Sequence, residues 1–134
     1  MCPSLFHHYT GYGELGGMAG YVLIKKAKVG ANLFEIPSHL SDDAGALAEP
    51  LGTAAYAVRR AKLSDGDTVV VLGAGLIGNL LVQTIKARVD AKVIVTEISP
   101  ERREAALRAG ADVVLDALRP DLDEAVYEAT GKGR

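Results

Sequence analysis

The chain has 134 residues, room for one modest domain, and its formal net charge of −2 gives nothing to attract nucleic acid or an anionic membrane surface. Tryptophan is absent and aromatics are 5%, too few for a base-stacking platform; one cysteine, Cys2, excludes an intrachain disulfide and makes a cytoplasmic setting the expectation. No apolar run approaches the ~20 residues that span a bilayer, and the N-terminal M-C-P-S-L-F-H-H-Y lacks the basic-then-apolar order of a secretory signal.

In chain order, residues 1–20 carry Gly11, Gly13, Gly16, Gly17 and Gly20 and read as irregular loop. Tyr21-Val22-Leu23-Ile24 is a strand candidate, followed by Lys25, Lys26 and Lys28. Leu33-Phe34-Glu35-Ile36-Pro37 is a second, placed at a sheet edge or end by its proline. Ser41 is suited to cap a short helix through Ala48, with Asp42 and Asp43 in the first turn, where the helix dipole favours negative charge. Pro50 is expected to interrupt it, and an alanine-rich helix follows from Leu51 to Lys62.

The segment Thr68–Gly78, T-V-V-V-L-G-A-G-L-I-G, organises the rest. Its β-branched run suits a strand covered on both faces, as in a parallel sheet. Gly73, Gly75 and Gly78 follow with G-x-G-x-x-G spacing. The pattern then turns helical through Leu76, Ile77, Leu80, Leu81, Thr84 and Ile85, ending near Arg88. Gly73 permits the sharp turn, Gly75 lets a diphosphate approach the backbone, and Gly78 lets the helix lie close to the strand. The free amides of the first helical turn then face the anion. A second strand, Lys92–Thr96, leads into Glu97, 22 residues after Gly75 and close to the ~20 expected of an acid that holds a ribose diol. Such a loop also fits a glycine turn in another α/β protein, with Glu97 merely solvated.

Ser99 and Pro100 start a helix that ends at Gly110. Asp112–Asp116 is a third strand. Pro120–Thr130 is a last helix with Leu122, Val126 and Ala129 as its buried stripe. The β-α-β-α-β-α order implies α/β architecture with a parallel sheet and right-handed crossovers. A doubly wound domain needs about six strands, so the chain reads as part of a longer protein, with an open sheet edge that invites association.

The blocks G-G-M-A-G-Y-V-L-I, N-L-F-E-I-P, A-L-A-E-P-L-G-T-A-A-Y-A-V, V-L-G-A-G-L-I-G and E-I-S-P-E-R-R, in this order, resemble the zinc-dependent medium-chain alcohol and polyol dehydrogenases. That resemblance implies a partial Rossmann-type sheet preceded by the tail of a β-rich, GroES-like catalytic domain. Residues 1–40 would be that tail, 41–64 linking helices, and 65–134 the first half of an NAD-binding domain. It implies hydride transfer between a secondary alcohol or polyol and NAD rather than NADP. Zinc would be held in the full-length parent, a homo-oligomer. Gly73, Gly75, Leu76, Ile77 and Gly78 would form the pyrophosphate loop, Glu97 would bind the adenosine ribose, and Arg102 would pack near it. Arg103 beside it blurs that assignment, and both arginines also fit a solvated helix face. Thr53 would line the nicotinamide side, or be a helix-surface hydroxyl. Glu49 would sit at the catalytic zinc, or be an exposed acid before proline. Cys2 would be the last cysteine of a structural zinc loop whose other three are absent; His7, His8 and His39 have no metal-ligand spacing. Without further ligands the isolated chain is expected to be inactive. Two rival readings are a nucleotide-binding or interaction module without chemistry, and an AdoMet-dependent methyltransferase, which shares the glycine loop and the acid.

Overall fold

The structure, a computed structural model, describes residues 10–131. Cys2, His7 and His8 therefore lie outside the described residues. The chain divides into two units, Met1–Leu40 and Ser41–Arg134.

Within the described part of the first unit no regular strand forms. Only isolated bridges join Thr10 to Glu14 and Val29 to Leu33. The two expected strands, at Tyr21–Ile24 and Leu33–Pro37, are irregular backbone instead. The reason is physical: β-propensity expresses a side chain's fit to a pleated, half-covered surface, and these segments have none. Tyr21 is 98% exposed and Leu23 83%. Local polar contacts hold the unit's turns. Asn32 accepts the Lys28 amide at 2.7 Å, and Lys25 pairs with Glu14 at 2.8 Å.

The second unit carries the regular structure. Ser41 caps α1 (Asp42–Ala46) by accepting the Ala44 amide. The break before α2 (Ala48–Ala61) falls at Leu47, not at Pro50. Proline in a first turn removes an amide that has no intrahelical partner anyway, so Pro50 is accommodated rather than disruptive. Then come β1 (Thr68–Leu72), α3 (Leu76–Lys86), β2 (Lys92–Glu97), α4 (Pro100–Arg108), β3 (Val113–Asp116) and α5 (Leu122–Ala129). The three strands form one parallel sheet in the order β1-β2-β3, with Leu72 opposite Thr96 and Glu97 opposite Asp116.

The core explains the sequence pattern. Val93, Ile94 and Val95 of β2 are fully buried, as a central strand covered on both faces requires. Val71 of β1, Val82 and Ile85 of α3, Val58 of α2 and Ala106 of α4 pack with Val93 and Val95. Each such branched side chain contributes on the order of 1.5–3 kcal/mol by leaving water. On α5 the fully covered position is Ala125, with Leu122, Val126 and Ala129 half-buried around it. At the N-terminal end of the strands, Asp112 accepts the Val93 amide and the Lys86 ammonium, both at 2.6 Å. That fastening leaves the opposite end of the sheet for the glycine turn.

Among the described glycines, Gly78 has the tightest surroundings. A Cβ there would lie 2.9 Å from the Gly73 carbonyl carbon and closer still to its oxygen. Backbone cannot yield as a flexible side chain can. Gly78→Ala should destabilise the fold by on the order of 3 kcal/mol, read as a lowered urea midpoint with unchanged slope; a wild-type midpoint would refute the contact.

Candidate functional site

Strand β1 ends at Leu72, and Gly73 turns the chain with φ +86°, a left-handed conformation that costs a residue with a Cβ. Its amide still donates to the Thr96 carbonyl at 2.8 Å, extending the parallel ladder by one bond. Gly75 is the N-cap of α3 in extended conformation, and nothing lies within 4 Å of where its Cβ would be. The first intrahelical bond of α3 runs from the Asn79 amide to the Gly75 carbonyl at 2.9 Å. The amides of Leu76, Ile77 and Gly78 precede it and project from the helix end. Beside them lies an open groove of about 330 Å³, lined by Leu47, Ala74, Gly75, Leu76, Asn79 and Arg102 among others. Empty space against bare backbone and a positive helix end is what a bound phosphate needs.

Glu97 closes this corner from the next strand. It is 5% exposed, and both carboxylate oxygens are engaged. Oε2 accepts the Ala74 amide at 2.6 Å and Oε1 the Ser99 amide at 2.9 Å. Ala74 went unmarked in the residue pattern, because it acts through its amide and no side-chain signal betrays that. The Ser99 amide, then the Ala74 amide, hold the Glu97 carboxyl below its ordinary value of 4.5. Arg102 adds a smaller attraction in the same direction.

The two adjacent arginines separate. Arg102 is exposed and lines the groove. Arg103 instead donates to the carbonyls of Glu97 and Ile98 at 3.0 and 2.9 Å and pairs with Asp116 at 3.3 Å. It splices the ends of β2 and β3 together. Of the remaining candidates, Leu76 lines the groove and Ile77 is exposed in the first turn of α3. Glu49 and Thr53 are exposed on α2, outside the groove's lining. Among the described residues no three His, Cys, Asp or Glu side chains converge on a point that could hold a metal. Cys2 lies outside them.

Comparison with known proteins fits this geometry. The family model described as zinc-binding dehydrogenase matches residues 77–134. The chain is 38% identical to the (R,R)-butanediol dehydrogenase of Bacillus subtilis over 88% of its own length and 33% of that protein. It is 35% identical to the D-arabitol-phosphate dehydrogenase of Enterococcus avium over 97% of its length and 36% of that protein. It thus spans about a third of the curated relatives it matches. An alcohol dehydrogenase from Escherichia coli CFT073, solved with NADH, superposes with a TM-score of 0.67 at 32% identity, over 74% of this chain and 29% of that one.

The Glu97 contacts have a pH signature. Its pKa is depressed in the folded state, so its contribution is complete above the unfolded value near 4.5 and is lost as pH falls through the lower folded value. Glu97→Gln offers one acceptor to two amides, so it should be less stable than wild type at about pH 7, with the gap closing below about pH 4.5. Urea titrations of both proteins across that range measure the gap; a gap independent of pH would exclude the ionised carboxylate as its source.

Proposed function

Because the chain belongs to the zinc-dependent medium-chain alcohol and polyol dehydrogenases, we propose that its glycine corner seats the adenosine diphosphate portion of NAD. On this proposal the whole protein transfers a hydride between a secondary alcohol or polyol and that cofactor. The observation that carries the reading is the juxtaposition at Gly75: an unfilled Cβ position, projecting helix amides, and a buried carboxylate from the next strand.

In this reading the amides of Leu76, Ile77 and Gly78 bind the diphosphate, Gly73 and Gly78 hold the turn that presents them, and Glu97 orients the ribose diol. A 2′-phosphate would bring negative charge against Glu97, which favours NAD over NADP. Arg102 lines the same groove, where its charge would offset the diphosphate's. When bound, the nicotinamide supplies the hydride acceptor; the part of this chain is to bind and orient the dinucleotide.

We further assign residues 1–40 to the catalytic domain's tail, 41–64 to helices linking the domains, and 65–134 to the first half of the cofactor domain. Thr53 then faces the nicotinamide side. Glu49 is proposed to lie at the catalytic zinc of the whole protein, and Cys2 to be part of its structural zinc loop. The described residues supply no set of zinc ligands of their own, so no step is derived through the metal. The whole protein is proposed to be a cytoplasmic homo-oligomer acting on small alcohols.

Calorimetric titration tests the cofactor assignment. NAD and ADP-ribose should bind, NADP more weakly, and AdoMet should not compete. Gly75→Ala should change stability by less than about 1 kcal/mol, because its φ of −66° suits any residue and its Cβ meets no atom. The same methyl would stand where the diphosphate must approach, so affinity should fall by about tenfold or more. Full NAD affinity in Gly75→Ala would sink the proposed site.

A further inference from the structure

We propose that Glu97 is a positioning residue for the diphosphate loop, setting the direction of the Leu76–Gly78 amides through Ala74, in addition to any contact with a ribose. This inference rests on the dinucleotide reading for its ligand, but its geometry is present in the protein alone. Four links connect the carboxylate to those amides. Oε2 of Glu97 grips the Ala74 amide at 2.6 Å from within the core. Ala74 is itself 3% exposed, so its peptide cannot swing outward without opening the core. Immediately before it, Gly73 is tied to the Thr96 carbonyl at 2.8 Å. Immediately after it, Gly75 begins α3, and its carbonyl accepts the helix's first bond.

The corner therefore has two anchors on β2, one backbone and one side chain, on successive residues. Gly73 lacks a Cβ to restrict its rotation, and no atom lies within 4 Å of where a Cβ would stand on it or on Gly75. Without the carboxylate, the Gly73–Gly75 backbone keeps the Thr96 bond, the Gly78 contact on the Gly73 carbonyl, the Asn79 bond to the Gly75 carbonyl and the packing of Ala74, but the Ala74 amide loses its acceptor. The other oxygen of Glu97 holds the Ser99 amide, and Ser99 Oγ accepts the Arg102 amide as the cap of α4. One buried carboxylate thus couples the first turns of α3 and α4, the two helix starts that flank the groove.

The test separates positioning from ribose contact by using 2′,3′-dideoxy-ADP, which offers no ribose hydroxyl. In the full chain, Glu97→Gln should bind this probe about fivefold to tenfold more weakly than wild type, even though it removes a negative charge that repels the diphosphate. Glu97→Asp keeps the charge but falls one methylene short of spanning both amides, and it should show the same loss. Hydrogen exchange of the ligand-free proteins gives the second readout. Amides of Ala74 to Gly78 should exchange at least about fivefold faster in both variants, while those of Val93 and Val95 stay unchanged, as a local opening requires. Equal probe affinity with weakened NAD binding and unaltered exchange would reduce Glu97 to a ribose contact and overturn the proposal. If wild type bound neither NAD nor the probe, the dinucleotide reading would fall, and the exchange rates would still decide whether Glu97 sets the loop.

Discussion

The contact on which the unit depends is the one between the first turn of α3 and the carbonyl of Gly73. Only a hydrogen fits at position 78. That steric fact places the helix start directly over the end of β1, so the turn between them can be as short as Gly73–Gly75. The short turn in turn leaves the amides of Leu76, Ile77 and Gly78 facing outward at the C-terminal end of the sheet. Ligands of open parallel sheets gather at that end, where helix N-termini converge. The hydrophobic core does the complementary work at lower precision: Val82 and Ile85 hold α3 against Val93 and Val95, yet they would tolerate small shifts that the Gly78 contact does not.

Charge is arranged around this backbone frame with little redundancy. Glu97 faces the corner, while Arg103, six residues on, has turned away to bind two carbonyls and Asp116. Arg102 is left as the cation on the groove. Helical geometry explains the division, since neighbouring residues on a helix point about 100° apart. Ser99 sits between the two systems. Its amide serves Glu97, and its hydroxyl serves the α4 N-terminus and Glu101. The end of β2 and the start of α4 thus share one polar network, partly buried and fully bonded, the condition under which buried polar groups rigidify a fold.

Most of Ser41–Arg134 was legible in the residues because its elements are set by local chemistry. The caps Ser41 and Ser99, the breaker Gly110 and the glycine trio each act within a few residues. Strand β2 was legible by its continuous apolar run, which burial on both faces demands. The break at Leu47 was not, because Pro50 has two opposite meanings: it ends a helix from the inside and starts one from the first turn. Nor was the division between Arg102 and Arg103, which depends on where β3 lies. The site shows the same split. Gly73, Gly75 and Gly78 announce themselves by having no side chains, whereas the Ala74 amide is invisible in any residue code. Its importance emerges only when β2 is laid beside β1 and brings Glu97 within 2.6 Å.

The first unit marks the limit of such reading. Tyr21–Ile24 and Leu33–Pro37 are largely apolar, as β1 is, though less β-branched, yet β1 is a strand and they are not. Much of the difference is non-local. β1 pairs with β2 through five residues in register and is backed by α3, while among the described residues Tyr21–Ile24 has no ladder partner and Leu33–Pro37 only the isolated bridge from Leu33 to Val29. A strand's hydrogen bonds lie outside its own segment, so a strand-like sequence states a requirement for a partner, not a conformation. A helix start or a glycine turn contains its own bonds. This asymmetry explains why the glycine corner, built from a turn and a helix end on one strand pair, stands out beside residues 10–40, which form no regular strand.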